Sequence, residues 1–188
     1  PGPEKDGENV RFLDICRCLD ALVAGAREQQ PDIAVIAGDI FHQARVWSDR
    51  GLKEQQTAVK FLRELAAICP VVVMRGTPNH DSEQQFSTLA NTFEASGEVK
   101  IITEPQVAKI YTGAWGWVNV ACVPGFDRGY YRAQHPGLSS EEENEVFTKA
   151  IEDIIIGLKA KCEPGIPSVL MGHFTITGAN MERSEERR

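Results

Sequence analysis

The chain has 188 residues, enough for one domain with a substantial core. Hydrophobic residues make up 42% and charged residues 25%, an ordinary soluble composition, and no apolar run reaches the ~20 residues of a membrane span. A net charge of −7 argues against gripping nucleic acid by bulk electrostatics alone, yet a phosphoester substrate stays open, because bound cations supply local positive charge.

The N-terminal stretch PGPEKDGENV lacks the apolar segment of a signal peptide. Residues 8–29 carry Phe12, Ile15, Leu19, Leu22, Val23 and Ala26 at helical spacing. The apolar run IAVIAG that follows predicts a buried strand. Residues 51–68 predict a second helix, PVVVM (70–74) a second buried strand, and 82–96 a third helix. Ser82 with Gln85 three residues on has the spacing of a capping box. Three short strands are expected over 99–103, 107–112 and 115–124, with Gly113-Ala114 turning a hairpin. Residues 126–138, rich in Gly, Pro and aromatics, read as a loop. Residues 139–161 read as a long helix whose acidic first turn suits the helix dipole. SVLMGH (168–173) reads as another buried strand. This alternation predicts an α/β fold, a parallel or mixed sheet flanked by helices.

The five cysteines are odd in number and form no CxxC pair, which suits reduced, mostly buried thiols in a cytoplasmic protein. Arg45, Arg50, Lys53, Lys60 and Arg63 make a locally basic stretch that reads as a solvated helix face.

In open α/β sheets, ligands bind beyond the carboxyl ends of the strands. Asp39 and His42 follow the first predicted strand, with Gly38 permitting close backbone approach. Asn79 and His80 follow the second through Gly76-Thr77-Pro78, which stops the strand. His173 follows the last. Singly, each has a bland reading: a turn Asp, an Asx turn, a structural His. Jointly they carry more weight, because three of the four histidines fall just after predicted strands. His135 alone reads as a loop residue. An Asp, an Asn and several His make an N/O ligand set, and no thiolate joins it, which disfavours a structural zinc site. The chemistry that fits is metal-assisted hydrolysis of a phosphoester by two ions roughly 3.5–4 Å apart.

GDIFH, the NHD block and GH, in that order, resemble calcineurin-like metallophosphoesterases. The flanking AGDIFH, VVVMRG…NHDSEQQF and VLMGHFTITGAN resemble the SbcD-type nuclease subunits of DNA double-strand break repair. The resemblance covers most of residues 10–180. It implies that Asp39 bridges two divalent metal ions, and that Asn79 and His173 ligate the second of them. Manganese is expected, with magnesium, iron or zinc also compatible. His80 would stand beside the scissile phosphate as general acid or transition-state stabiliser, and His42 would contact phosphate or assist the leaving group. Asp81 would hold a loop or orient a ligand. The implied partners are DNA, an SMC-like ATPase of SbcC type and a second copy of the chain, with no membrane.

The sequence departs from the family pattern in three places. No Asp-x-His occurs anywhere in the chain, the late Gly-His-x-His is missing, and GNHD is spelled GTPNHD. The expectation is that residues 1–188 are one metallophosphoesterase domain in fragment, with the first metal site incomplete. Two alternatives stay open: a phosphodiesterase or phosphatase acting on nucleotides or phosphoproteins, and a catalytically inactive scaffold for dimerisation or partner binding.

Overall fold

The computed structural model describes residues 4–5, 8–44, 48–95, 97, 99–113 and 115–175. Two short strands, β1 (Glu4–Lys5) and β2 (Glu8–Asn9), pair antiparallel and lead into helix α1 (Val10–Gln29). Asn9 caps that helix, its side chain accepting from the amides of Arg11 and Phe12. Then follow β3 (Ala34–Ile36), α2 (Asp49–Ala66), β4 (Val71–Met74), α3 (Glu83–Phe93) and β5 (Val99–Ile102). The second half comprises β6 (Gln106–Tyr111), β7 (Trp117–Val123), α4 (Arg128–Gln134), α5 (Ser140–Lys161) and β8 (Ser168–Gly172).

The strands form two larger sheets. One is parallel, in the order β3-β4-β5; the other runs β6-β7-β8, with β6 antiparallel and β8 parallel to β7. The central strand β4 explains the arrangement. All four of its side chains are buried, and they alternate between two cores. Val71 and Val73 pack with Val23 of α1, Leu62 and Leu65 of α2, and Phe86 and Leu89 of α3. Val72 and Met74 face the other way, onto Ile110, Val120, Cys122 and Met171 of the second sheet. That sheet turns Ala121 and Val123 outward onto Leu158 of α5. The layers are therefore helices, sheet, sheet, helix. A strand covered on both faces needs an unbroken apolar run, which is what residues 71–74 supply.

The capping box at Ser82 and Gln85 forms, and Ser139 and Glu142 form a second at the start of α5. Three readings change. Residues 126–138 are not all loop, because α4 lies within them. Phe126 and Tyr131 both pack edge-on against Phe147 of α5, and Arg132 grips Glu143 through two nitrogens. These tertiary contacts order a segment whose composition signals a loop. Second, β3 and β8 are edge strands rather than buried ones. Val35 is 48% exposed and Val169 49%, since each strand pairs on one side among the described residues. Third, the β6–β7 connection is longer than a two-residue turn. Tyr111 pairs with Trp117, and Thr112 donates to the Gly116 carbonyl. Gly113 is left-handed there (φ 71°), and Ala114 lies outside the described residues. Of the basic stretch, Lys53 pairs with Glu8 and Lys60 with Asp20 and Glu64, as a solvated face would; Arg45 lies outside the described residues.

Candidate active site

The C-terminal ends of β3, β4, β7 and β8 meet at one edge of the two sheets. Beyond β3 the backbone turns through two left-handed residues, Gly38 (φ 102°) and Asp39 (φ 54°). Asp tolerates this region better than most side chains, while glycine enters it at no steric cost. The turn brings the loop against its neighbours: a Cβ on Gly38 would lie 2.6 Å from both the Gly76 Cα and the His173 Nδ1. Gly76 is as constrained, because a Cβ there would collide with the backbone nitrogen and carboxylate of Asp39. The loop after β7 closes on the other side, the Gly125 amide donating to the Arg75 carbonyl at 3.0 Å.

Asp81 holds this contact together. Its side chain is fully buried. Oδ2 accepts from the amides of Gly76 (2.7 Å) and Asp39 (2.8 Å), and Oδ1 from the amide of Phe41 (3.1 Å). Burial pushes its carboxyl above the usual carboxylate range, while the three amides pull it down and the Asp39 charge adds to the rise. The chain reaches Asp81 by a tight turn in which the amides of His80 and Asp81 both donate to the Thr77 carbonyl.

Asp39 is oriented in turn. Its Oδ1 accepts from the Thr77 amide at 2.8 Å and the Thr77 hydroxyl at 2.9 Å, and lies 3.3 Å from His173 Nε2. His173 Nδ1 sits 2.7 Å from the Ala37 carbonyl, so Nδ1 carries the proton. In the neutral ring Nε2 then presents a lone pair to a carboxylate oxygen. An imidazole whose other nitrogen donates to a backbone carbonyl is the usual form of a metal-ligating histidine, and Nε2 and the Asp39 oxygen 3.3 Å from it can each offer a lone pair to one cation. On this test Asp39 and His173 fit a divalent metal. Among the described residues no three His, Cys, Asp or Glu side chains form a metal-holding group, so these two are a pair of donors and not a closed site.

The other candidates fall on the same loops. His42 is exposed and His80 half-buried, their ring centroids 6.1 Å apart. Asn79 is exposed, and its backbone carbonyl accepts from Ala44, tying the two loops together. The structure therefore brings Asp39 to His173 and His42 to His80. Asn79 stands exposed on the loop between Thr77 and His80. Sequence reasoning missed Thr77 and Gly125. Thr77 lies inside the RGTPNHD block, where its hydroxyl was readable as a partner for a nearby carboxylate. Gly125, in CVPGF, gives no local signal, because its need for a bare Cα comes from a loop 49 residues earlier, that of Gly76.

A layered αββα fold with a carboxylate, an amide and three imidazoles at one sheet edge defines a class of phosphoester hydrolases. The family model described as calcineurin-like phosphoesterase matches residues 9–187, and the chain belongs to that family. The chain is also similar to "Putative phosphoesterase 244L" of Invertebrate iridescent virus 6, 28% identical over 115 residues. That stretch covers 58% of this chain and 38% of the viral protein, so the chain spans well under half of that relative's length. The family performs phosphoester hydrolysis with divalent metal ions. No helix among the described residues is long and apolar enough to cross a membrane.

Proposed function

We propose that this chain is part of the catalytic domain of a DNA nuclease subunit of SbcD type, cleaving phosphodiester bonds with manganese. The observation that carries the hydrolytic reading is the Asp39–His173 pair, a carboxylate oxygen and an imidazole nitrogen held 3.3 Å apart by Thr77 and the Ala37 carbonyl. Asp39 and His173 would hold a metal ion, with Asn79 as a further oxygen donor from the neighbouring loop. Bound divalent cations would act as Lewis acids on the phosphoryl group and lower the pKa of water. His80 moves the proton at the leaving oxygen, and His42, across a 6.1 Å ring separation, contacts phosphate. Asp81 and Gly76 take no part in the chemistry and set the distance between the two loops. Support for nuclease over general phosphatase activity comes from the sequence flanking each motif: VVVMRG before NHD, SEQQF after it, and VLMGHF.

The same reading places the protein in the cytoplasm, as a homodimer working on DNA with an SMC-like ATPase of SbcC type. It also makes the chain one portion of a longer domain. The half-exposed Val35 and Val169, in strands that pair on one side among the described residues, support further pairing there. A second reading, a phosphodiesterase for small nucleotides, is favoured by the net charge of −7. The full-length protein decides between them: manganese-dependent digestion of linear duplex DNA that outpaces hydrolysis of a small chromogenic phosphodiester supports the nuclease. Hydrolysis of the small ester alone supports the second reading.

A further inference from the structure

A cavity of about 580 Å³ opens beside His42, between the N-terminal halves of α1 and α2. Its floor is apolar and aromatic: Phe12, Ile15, Phe41 and Phe61 line it. Its rim is cationic, with Arg11 and Arg50 both exposed. One polar group in the lining stands out. Glu54 Oε2 is buried and has no hydrogen-bond partner. A buried carboxylate oxygen without a donor is costly, and such groups call for an explanation. Arg50, one turn away on the same helix, would be the obvious partner, yet no ion pair joins the two.

We infer that this groove is a nucleobase subsite for the substrate whose phosphate lies at the catalytic edge. The inference rests on the phosphodiesterase reading and adds a recognition element to it. A planar apolar group carrying N–H donors matches what the groove offers. The ring faces lie against Phe12, Ile15 and Phe61. The edge donors reach Glu54 once its buried carboxylate turns from the groove wall toward the base, as carboxylates accept from base amino groups. The phosphates fall between the two rim arginines and His42, so negative charge meets positive. Among bases guanine fits best, because its ring N–H and amino group sit side by side and match the two oxygens of a carboxylate. Stacking of a base on apolar and aromatic side chains is sequence-tolerant and strong enough to matter. The groove shares His42 with the catalytic edge, so a base seated in it sets where along the strand the phosphodiester is presented.

The test is titration calorimetry on the full-length protein in a chelating buffer, with guanosine 5′-monophosphate and ribose 5-phosphate as probes. The nucleotide should bind at least about tenfold more tightly than the sugar phosphate. Ile15→Trp fills the groove from a half-exposed position and should weaken nucleotide binding about tenfold; Glu54→Gln, which keeps the shape, should weaken it by a similar factor. Unchanged thermal melting establishes that each variant is folded. Equal affinity for the two probes, or a nucleotide preference that survives both substitutions, overturns the subsite. Hydrolysis of bis(4-nitrophenyl) phosphate, which has no base, tests the catalytic reading separately. Hydrolysis without nucleotide preference removes the subsite alone, and nucleotide preference without hydrolysis removes the catalytic reading alone.

Discussion

Replacing Asp81 by alanine takes one acceptor group from three backbone donors at once. The amides of Gly76, Asp39 and Phe41 lie 2.7, 2.8 and 3.1 Å from its oxygens. Asp39 is exposed, so water can reach its amide, but Gly76 and Phe41 are buried and their donors stay unmade. Each orphaned buried donor costs about 1–3 kcal/mol, so Asp81→Ala should lose about 2–6 kcal/mol. That is a large part of the roughly 5–15 kcal/mol that holds a domain together. Asp81→Asn keeps the shape but turns an NH₂ toward one of the amides, and should lose about 1–3 kcal/mol. Urea unfolding at neutral pH measures both losses as a shifted midpoint at constant slope. A loss below about 1 kcal/mol for Asp81→Ala would refute the claim that this carboxylate holds the loops. The pH dependence gives a second check. Because burial raises the Asp81 carboxyl above its ordinary 3.8, the folded chain takes up the proton at a higher pH than the unfolded chain. Ionisation at this position therefore opposes folding at neutral pH, and the cost is relieved as pH falls through the folded pKa toward 3.8. The stability of the parent relative to Asp81→Asn should rise across that acid window. A fall would show that the three amides outweigh burial.

Gly76→Ala should destabilise the chain by about 1–3 kcal/mol or more in the same urea assay, because its Cβ meets the Asp39 backbone and carboxylate. In the full-length protein, His80→Ala should lower kcat about 10²–10⁴-fold while calorimetric manganese binding is mostly kept; a normal rate would remove His80 from the proposed chemistry. Asp39→Ala should abolish manganese binding at both sites by the same measurement, and retained binding would exclude it as the bridging carboxylate. At the start of α5, Ser139→Ala removes half of the capping box and should cost about 1 kcal/mol by thermal melting, with no effect on metal affinity.

The parts of the fold that were legible in the sequence are those set by local pattern. The run VVVM reads as a buried strand because it is short, β-branched and closed by Gly76 and Pro78. Ser82 and Gln85 read as a capping box because that device is complete within four residues. The parts that were not legible depend on partners distant in the chain. Helix α4 is ordered by Phe147, and its own glycine and aromatics gave no helical period. The exposure of β3 and β8 follows from strand order, which hydropathy does not encode, so both looked as apolar as the central strand. Residue types and strand ends picked out Asp39, His42, Asn79, His80 and His173 as candidates, and the structure places them on loops at one sheet edge. Which of them meet was not readable, because the meeting depends on two glycine contacts and on the orientation Thr77 gives to Asp39.

These contacts divide the work at the sheet edge between residues that position and residues that can react. Gly38, Gly76 and Gly125 have no side chains there, and that is their contribution: loops from β3, β4 and β7 come within distances that any Cβ would forbid. Close packing of backbone at a polar edge would leave amides unpaired, and Asp81 accepts three of them. Asp39 joins the loops through its amide and through Oδ1, which accepts from Thr77, and that carboxylate also faces His173. The extra residues in GTPNHD, relative to GNHD, contribute to this division. Thr77 occupies the added length, and it orients Asp39 through both its amide and its hydroxyl. The longer turn lets the β4 loop hold the neighbouring loop's carboxylate in place, and Asn79 and His80 are carried past it to the open side of the site.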